Sequence, residues 1–558
     1  MPSAASGSRL DPSAVLWLAL LAVLVLALVV SPLAAILYRA FVDVRAGSTV
    51  LTGANFVRVL SDSIYWSALL NTLIVSCAAA LIATVFGSSL AWMLVRTNTL
   101  CRTVLERVCE MPIFVPPFVG AVAWALLFAP RIGVFNRILA QLGMGFQLDV
   151  YSLTGMACVI GIYLAPYAML IVASALRGMD PSLEEAARVC GLGTGAAVLR
   201  VTLPLLAPAL TSSLVLSFTI AIGLFGTPIV LGWSRQILLL TSRIWISAQT
   251  VPPDYGAMAV LSFYLIAIST IAIGLQRAVL AGRSFTTITG KGFRPRLIDL
   301  GPWRWATFAM TALYIVLTIL APVAVLLAAA LSSYTWSNQY SLDNLVQSLS
   351  SDDVWSTMRN SVLISLFSAT VATAIGLGIA WLVVRTRIAA REVIEYLVLL
   401  PISIPGIAFG VGVMLVWIRA PVPVYGTALI IVLAFVGRFT AYAVRSISAS
   451  LIQVHPELEE SARVFGLGPV RAFMHVTLPL IVPSIVAGWL LLFSFYMTEL
   501  SMVVLLYSAG SRTFSVLSFE VWNVGDFSRL AAFSLLQLLI GLLLTSIIRA
   551  FFRDRIVQ

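Results

Sequence analysis

Long apolar runs alternate along this chain with short polar interruptions. About twelve runs stand out, near residues 15–38, 66–95, 109–130, 153–176, 206–232, 257–280, 304–331, 358–384, 396–418, 426–444, 480–507 and 529–548. Roughly 20 apolar residues suffice to cross the hydrocarbon core of a bilayer. Lipid cannot satisfy exposed backbone groups, so runs rich in Leu, Ala, Val and Ile are predicted to be helices. The short alternating segments of a β-barrel are absent. The first run follows Arg9, exceeds the apolar core of a secretory signal and has no clear small-residue cleavage site, so it is expected to remain as a helix. The expected fold class is an all-α integral membrane protein with about twelve transmembrane helices.

The polar positions add a second period. "WSALLNTLIVSCAAALIATVFGSSLAWMLVRT" (66–97) aligns without gaps on "WSTMRNSVLISLFSATVATAIGLGIAWLVVRT" (355–386), and Pro112 and Pro116 keep the same 289-residue offset to Pro401 and Pro405. Further on, "EEAARVCGLGTGAAVLRVTLPLLAP" (184–208) returns as "EESARVFGLGPVRAFMHVTLPLIVP" (459–483), now 275 residues away. The chain is a duplication whose second copy has lost about 14 residues, most simply from the loop around "PRIGVFNRILAQLGMGFQLDVY". Six runs per copy is an even number, so the two halves are predicted to be parallel repeats about an axis along the membrane normal. The expected organisation is a first half over 1–283, a linker over 284–303 and a second half over 304–558.

Composition agrees with this reading: 60% of residues are hydrophobic and only 10% charged, with a mean hydropathy of +1.03. The net charge of +11 would suit nucleic acid, but basic residues also collect in cytoplasmic loops of membrane proteins. Cytoplasmic N- and C-termini place most of the Lys and Arg on that side, so the charge reports orientation and no nucleic-acid partner is expected. Five cysteines without a CxxC pair and two histidines do not suggest a metal or disulfide framework, so no metal site is expected.

The repeated polar stretch lies between the fourth and fifth runs of each half, in loops near 177–205 and 445–480. Asp180-Pro181 and His455-Pro456 suit a helix start. Glu184–Arg188 and Glu459–Arg463 are spaced as i,i+4 pairs, and Gly191 and Gly466 permit the left-handed turn that ends a helix. A second short helix then reaches Leu203-Pro204 or Leu478-Pro479. Small residues on one side (Ala186 and Ala187; Ser461 and Ala462) suit docking into a partner's groove. Two copies imply two partner sites.

Both stretches resemble the EAA motif of ATP-binding-cassette (ABC) importer permeases: Glu185-Ala186-Ala187, Gly191 and Val201-Thr202-Leu203-Pro204 in one copy, Glu460-Ser461-Ala462, Gly466 and Val476-Thr477-Leu478-Pro479 in the other. Ser461 replaces the motif's first Ala, and Val its Ile in both copies. The resemblance implies a type I importer, or MetI-like, permease fold in a bacterial inner membrane. It also implies coupling helices over Glu184–Gly191 and Glu459–Gly466 seated in two separate ATPase subunits, and a periplasmic or extracellular substrate-binding protein. "SFTTITGKGF" has Phe285 and Gly292 where a phosphate-binding loop needs Gly and Ser or Thr. No cofactor is therefore expected on this chain, and ATP with Mg is left to the partner subunits. The chain is not expected to be an enzyme.

Ionisable residues within apolar runs are costly and point to function. Glu499 is placed well inside the eleventh run and Arg438 within the tenth; Gly223, Gly226 and Pro228 are expected to loosen the fifth. These five are the candidate path residues. "FGTPIVLG" and the segment from Thr498 to Leu539 are similar to fused permeases of ferric-iron importers, with thiamine, 2-aminoethylphosphonate and polyamine permeases as close relatives. A secondary transporter of the major-facilitator type shares the two-half layout, but has no use for a duplicated docking helix.

Overall fold

The computed structural model describes residues 12–45, 48–180, 182–280, 297–332, 339–386 and 391–556. Every predicted run is mainly helical within them. Among the described residues, eight helices are long and apolar enough to cross a membrane unbroken, three more spans are bent pairs, and Phe527–Gly541 is a shorter apolar helix. We number the spans 1–12 in chain order.

The duplication is visible element by element. Span 2 (Ser63–Arg96) and span 8 (Asp352–Arg385) are both 34 residues long. Span 4 (Leu153–Gly178) and span 10 (Ala428–Gln453) are both 26. The missing residues fall where expected: 129–152 join spans 3 and 4 and include a helix, Val134–Gln141, whereas 418–427 suffice in the second half. A π-helical turn precedes the proline of spans 1 and 7, at Leu26–Val30 and Val316–Leu320. A proline ring displaces the carbonyl four residues earlier and offers no N–H, and a widened turn accommodates both defects.

Spans 3 and 9 depart from the single straight helices predicted. Arg102–Phe114 meets Pro117–Phe128 at 101°, and Arg391–Ser403 meets Gly406–Trp417 at 116°. The cause is local: a residue before proline is driven out of the helical region, and Val115 (ψ 120°) and Ile404 (ψ 126°) are extended.

Within each half the second and fourth spans form the main packing seam, 2 on 4 and 8 on 10. Glycine lets the backbones approach, as is usual for membrane helices. A Cβ on Gly87 would lie 2.7 Å from the Ala168 Cβ, and one on Gly376 would lie 2.6 Å from that of Ala443.

The first spans are exchanged. Span 1 packs on spans 9 and 10 of the other half, where a Cβ on Gly412 would stand 2.6 Å from the Pro32 carbonyl oxygen. Span 7 packs on span 3 of the other half as well as on span 12 of its own, and Tyr314 donates to the Ile162 carbonyl at 3.2 Å. Of the predicted linker, 284–296 lie outside the described residues, together with the Gly-Lys stretch. Its end is pinned beside span 2, where Asn98 Nδ2 donates to Asp299 at 2.6 Å.

Candidate functional site

Two sites emerge, one at the ends of the spans and one at their breaks. At the first, Asp180 Oδ1 accepts from the Ser182 amide at 2.9 Å, starting the short helix Ser182–Val189. Its counterpart is Glu457–Val464. Gly191 (φ +85°) and Gly466 (φ +89°) make the left-handed turn, which lets Leu192 and Leu467 amides donate to Ala187 and Ala462 carbonyls at 3.1 and 3.2 Å.

The two adjacent glutamates of each helix have opposite fates. Glu184 and Glu459 are buried, at 4% and 6% exposure, whereas Glu185 and Glu460 are exposed. Arg385 Nε donates to Glu459 Oε1 at 3.1 Å, and Thr477 Oγ1 donates to the same oxygen at 2.6 Å. The first half repeats this with Arg96 Nη2 3.9 Å from Glu184 Oε1 and Thr202 Oγ1 donating at 2.7 Å. Each guanidinium also faces carbonyls ending the fourth span of its half: Met179 at 3.5 Å, Leu451 at 3.2 Å and Val454 at 2.8 Å. The expected Glu459–Arg463 pair is thus replaced by Glu459–Arg385, because the carboxylate points inward while Arg463 is exposed. The Arg188 side chain and Pro181 lie outside the described residues.

The small-residue face is also redrawn. Ala187 and Ala462 are buried, while Ala186 and Ser461 are exposed. What each helix offers outward is a glutamate beside large apolar groups: Val189 is 88% exposed, and Val464 and Phe465 are 85% and 88% exposed. Sequence reasoning missed these three, although apolar residues just before a helix-ending glycine were a signal.

At the second site, spans 5 and 11 are interrupted at matching places. The helix of span 5 ends at Gly223, Leu224 is extended, and a new helix runs Gly226–Gly232, so Gly223, Gly226 and Pro228 mark a break in the span. Span 11 ends at Thr498, and Glu499 is extended (φ −71°, ψ 121°) ahead of Val503–Leu506. Glu499 is therefore in a helix break rather than inside a continuous span, because its backbone has turned out of the helix. Its Oε1 accepts from the Met502 amide at 3.2 Å.

Arg438 of span 10 reaches the same place. Its guanidinium lies 5.1 Å from the Phe439 ring centroid and against Gly406, at the bend of span 9. A Cβ there would meet that guanidinium and stand 3.4 Å from Glu499 Oε1. The other half closes the cluster, with a Gly223 Cβ position 3.3 Å from Pro405. By the 275-residue offset, Arg438 and Glu499 correspond to Tyr163 and Leu224, which line a small apolar cavity of about 60 Å³ with Tyr167. One half is charged at this level and the other is not. Among the described residues, no three His, Cys, Asp or Glu side chains are grouped to hold a metal ion.

A family model described as "Binding-protein-dependent transport system inner membrane component" matches residues 83–285 and again 360–557. The putative ferric transport system permease protein FbpB 1 of Haemophilus influenzae is 24% identical over 88% of this chain and 77% of its own. The ferric transport system permease protein FbpB of Actinobacillus pleuropneumoniae is 26% identical over 87% and 70%. The sulfate transport system permease protein CysT of Escherichia coli is 28% identical over 38% of this chain and 77% of its own. A crystal structure of a bacterial ABC transporter that imports the polysaccharide alginate aligns at 18% identity, with a TM-score of 0.41, over 48% of this chain and 96% of that one.

Proposed function

The chain belongs to the family of binding-protein-dependent transport system inner membrane components, and on that premise we propose that it forms the translocation path of an ATP-driven importer of ferric iron. It is a multi-pass ABC importer permease, a transport subunit and not an enzyme, that works with a substrate-binding protein. The ferric cargo is supported by the two relatives named for ferric transport, each aligned over most of this chain. Thiamine, 2-aminoethylphosphonate and polyamines are the alternatives.

One observation carries the rest: two matching short helices, ending in left-handed glycines, each present a glutamate and bulky apolar groups outward. A helix of this kind suits a groove on a partner, and two of them suit two ATPase subunits. Basic residues between the halves favour a cytoplasmic location for both helices and both termini. Closure of the ATPase pair would move the docked helices as rigid bodies. The breaks at Leu224–Phe225 and Glu499–Met502, against the bends at Pro116 and Pro405, would open or seal the path. Arg438 and Glu499 lie at that level, where a charge not needed for packing is costly. The ferric cargo would pass them without a dedicated store.

The test is reconstitution in proteoliposomes with the ATPase subunits and the binding protein, measuring radiolabelled ferric iron uptake. Glu185→Lys combined with Glu460→Lys is expected to abolish both ATPase co-purification and uptake. Full assembly and uptake in that double variant would overturn the docking assignment. Uptake of an alternative solute in place of iron would overturn the cargo.

A further inference from the structure

Glu184 and Glu459 are not spent on the docking face. Each is buried with an arginine and a threonine from two other elements, and the same trio occurs in both halves: Arg96, Glu184 and Thr202; Arg385, Glu459 and Thr477. Exposure is 0% for Arg96 and Thr477, 1% for Thr202, and 4% and 6% for the glutamates. The arginine is the last helical residue of span 2 or 8. The threonine closes the π-helical turn, Val198–Thr202 or Phe473–Thr477, that feeds span 5 or 11. The guanidinium also holds carbonyls at the end of span 4 or 10, where the helix dipole favours a cation.

From this geometry we propose that each trio is a positioning clamp, which forces the docking helix, the ends of the second and fourth spans and the start of the fifth to move as one body. The proposal rests on the docking assignment above and adds residues that touch neither ATPase nor cargo. A carboxylate buried beside a guanidinium cannot be withdrawn without stranding a charge in a poorly solvated place, a strongly unfavourable step. Tilting the docking helix therefore drags Arg96 or Arg385 and Thr202 or Thr477 with it. Span 5, bent by 66° between Leu205 and Ala207, then carries the displacement from Thr202 to the break at Leu224, and the unbroken helix Phe473–Thr498 of span 11 carries it from Thr477 to Glu499. Both breaks lie beside Pro405-Gly406 or its counterpart Pro116-Pro117. Without the clamp the docking helix can swivel on its own glycine turn, and ATP is spent with no movement of the breaks.

The experiment uses the full chain with its ATPase subunits, in a background whose five native cysteines are replaced, and reads maleimide labelling of Leu224→Cys with and without a non-hydrolysable ATP analogue. This readout needs no knowledge of the cargo. With the clamps intact, the analogue is expected to change the labelling rate by at least about fivefold, the low end of ordinary allosteric coupling. With Glu184→Gln and Glu459→Gln together, the ATPase subunits stay bound, hydrolysis continues and the change in labelling disappears. Thr202→Val with Thr477→Val, which leaves the ion pairs, is expected to reduce the change without abolishing it. Persistence of the full labelling change in both sets overturns the clamp. Loss of assembly in the glutamine set, with full coupling in the valine set, also overturns it, since the trio would then only support folding. The docking assignment fails separately, if Glu185→Lys with Glu460→Lys still retains the ATPase subunits.

Discussion

At the scale of single residues, neighbours in sequence divide the labour. Glu184 faces in and Glu185 faces out, and the same division holds for Glu459 and Glu460. The sequence marks the motif and its register, but i,i+4 spacing pointed Glu459 towards Arg463, because it sees only one helix. The true partner, Arg385, is 74 residues away and arrives through packing of span 8 beside span 10. Arg438 and Glu499 were legible as improbable charges in apolar runs. Their convergence was not, since it depends on Gly406 leaving room for the guanidinium at a bend that hydropathy does not register. Arg438→Leu is expected to lower uptake by about tenfold or more, the effect of roughly 1.4 kcal/mol on a barrier. ATPase co-purification and docking should remain intact. Glu499→Gln should do the same, and uptake equal to wild type in both would remove these side chains from the path.

At the scale of elements, the positions of all twelve runs could be read from hydropathy, because lipid leaves few alternatives to a helix. Their continuity could not. A window averaged over some twenty residues registers the apolar content on both sides of Val115-Pro116, Leu224-Phe225 or Glu499 as one span. Proline was visible at the first of these places and at its counterpart Pro405, but proline kinks and proline breaks look alike in sequence, and it is the extended residue ahead of it that turns the chain by more than a right angle. The seam between spans 2 and 4, and its repeat between 8 and 10, is set by glycine. Gly87→Val or Gly376→Val would force a side chain into the opposing helix, where overpacking costs about 1–3 kcal/mol. Each variant is expected to lower the melting temperature of the detergent-solubilised protein, and Gly274→Val, on the sixth span where a Cβ meets nothing within 4 Å, serves as the comparison for a helical glycine outside the seam. A melting temperature unchanged by the seam variants would mean the seam can relax.

At the scale of the whole molecule, the duplication was legible from matched motifs, and the 289- and 275-residue offsets placed the shortened loop correctly between spans 3 and 4. What no offset discloses is that spans 1 and 7 reach across to the opposite halves, since apolar faces carry no label for the partner they will cover. If the chain is cut within 284–296, the two pieces made together are expected to assemble and restore uptake, and either alone should be degraded with its groove uncovered. Transport by one piece alone would contradict this. The exchanged first spans also limit what motion can do. Each half is held by a helix that belongs to the other, as two people are when each grips the other's forearm. Such a pair can rock about its common axis but cannot drift apart, so the solute route can open at either end while the seam facing the lipid stays shut.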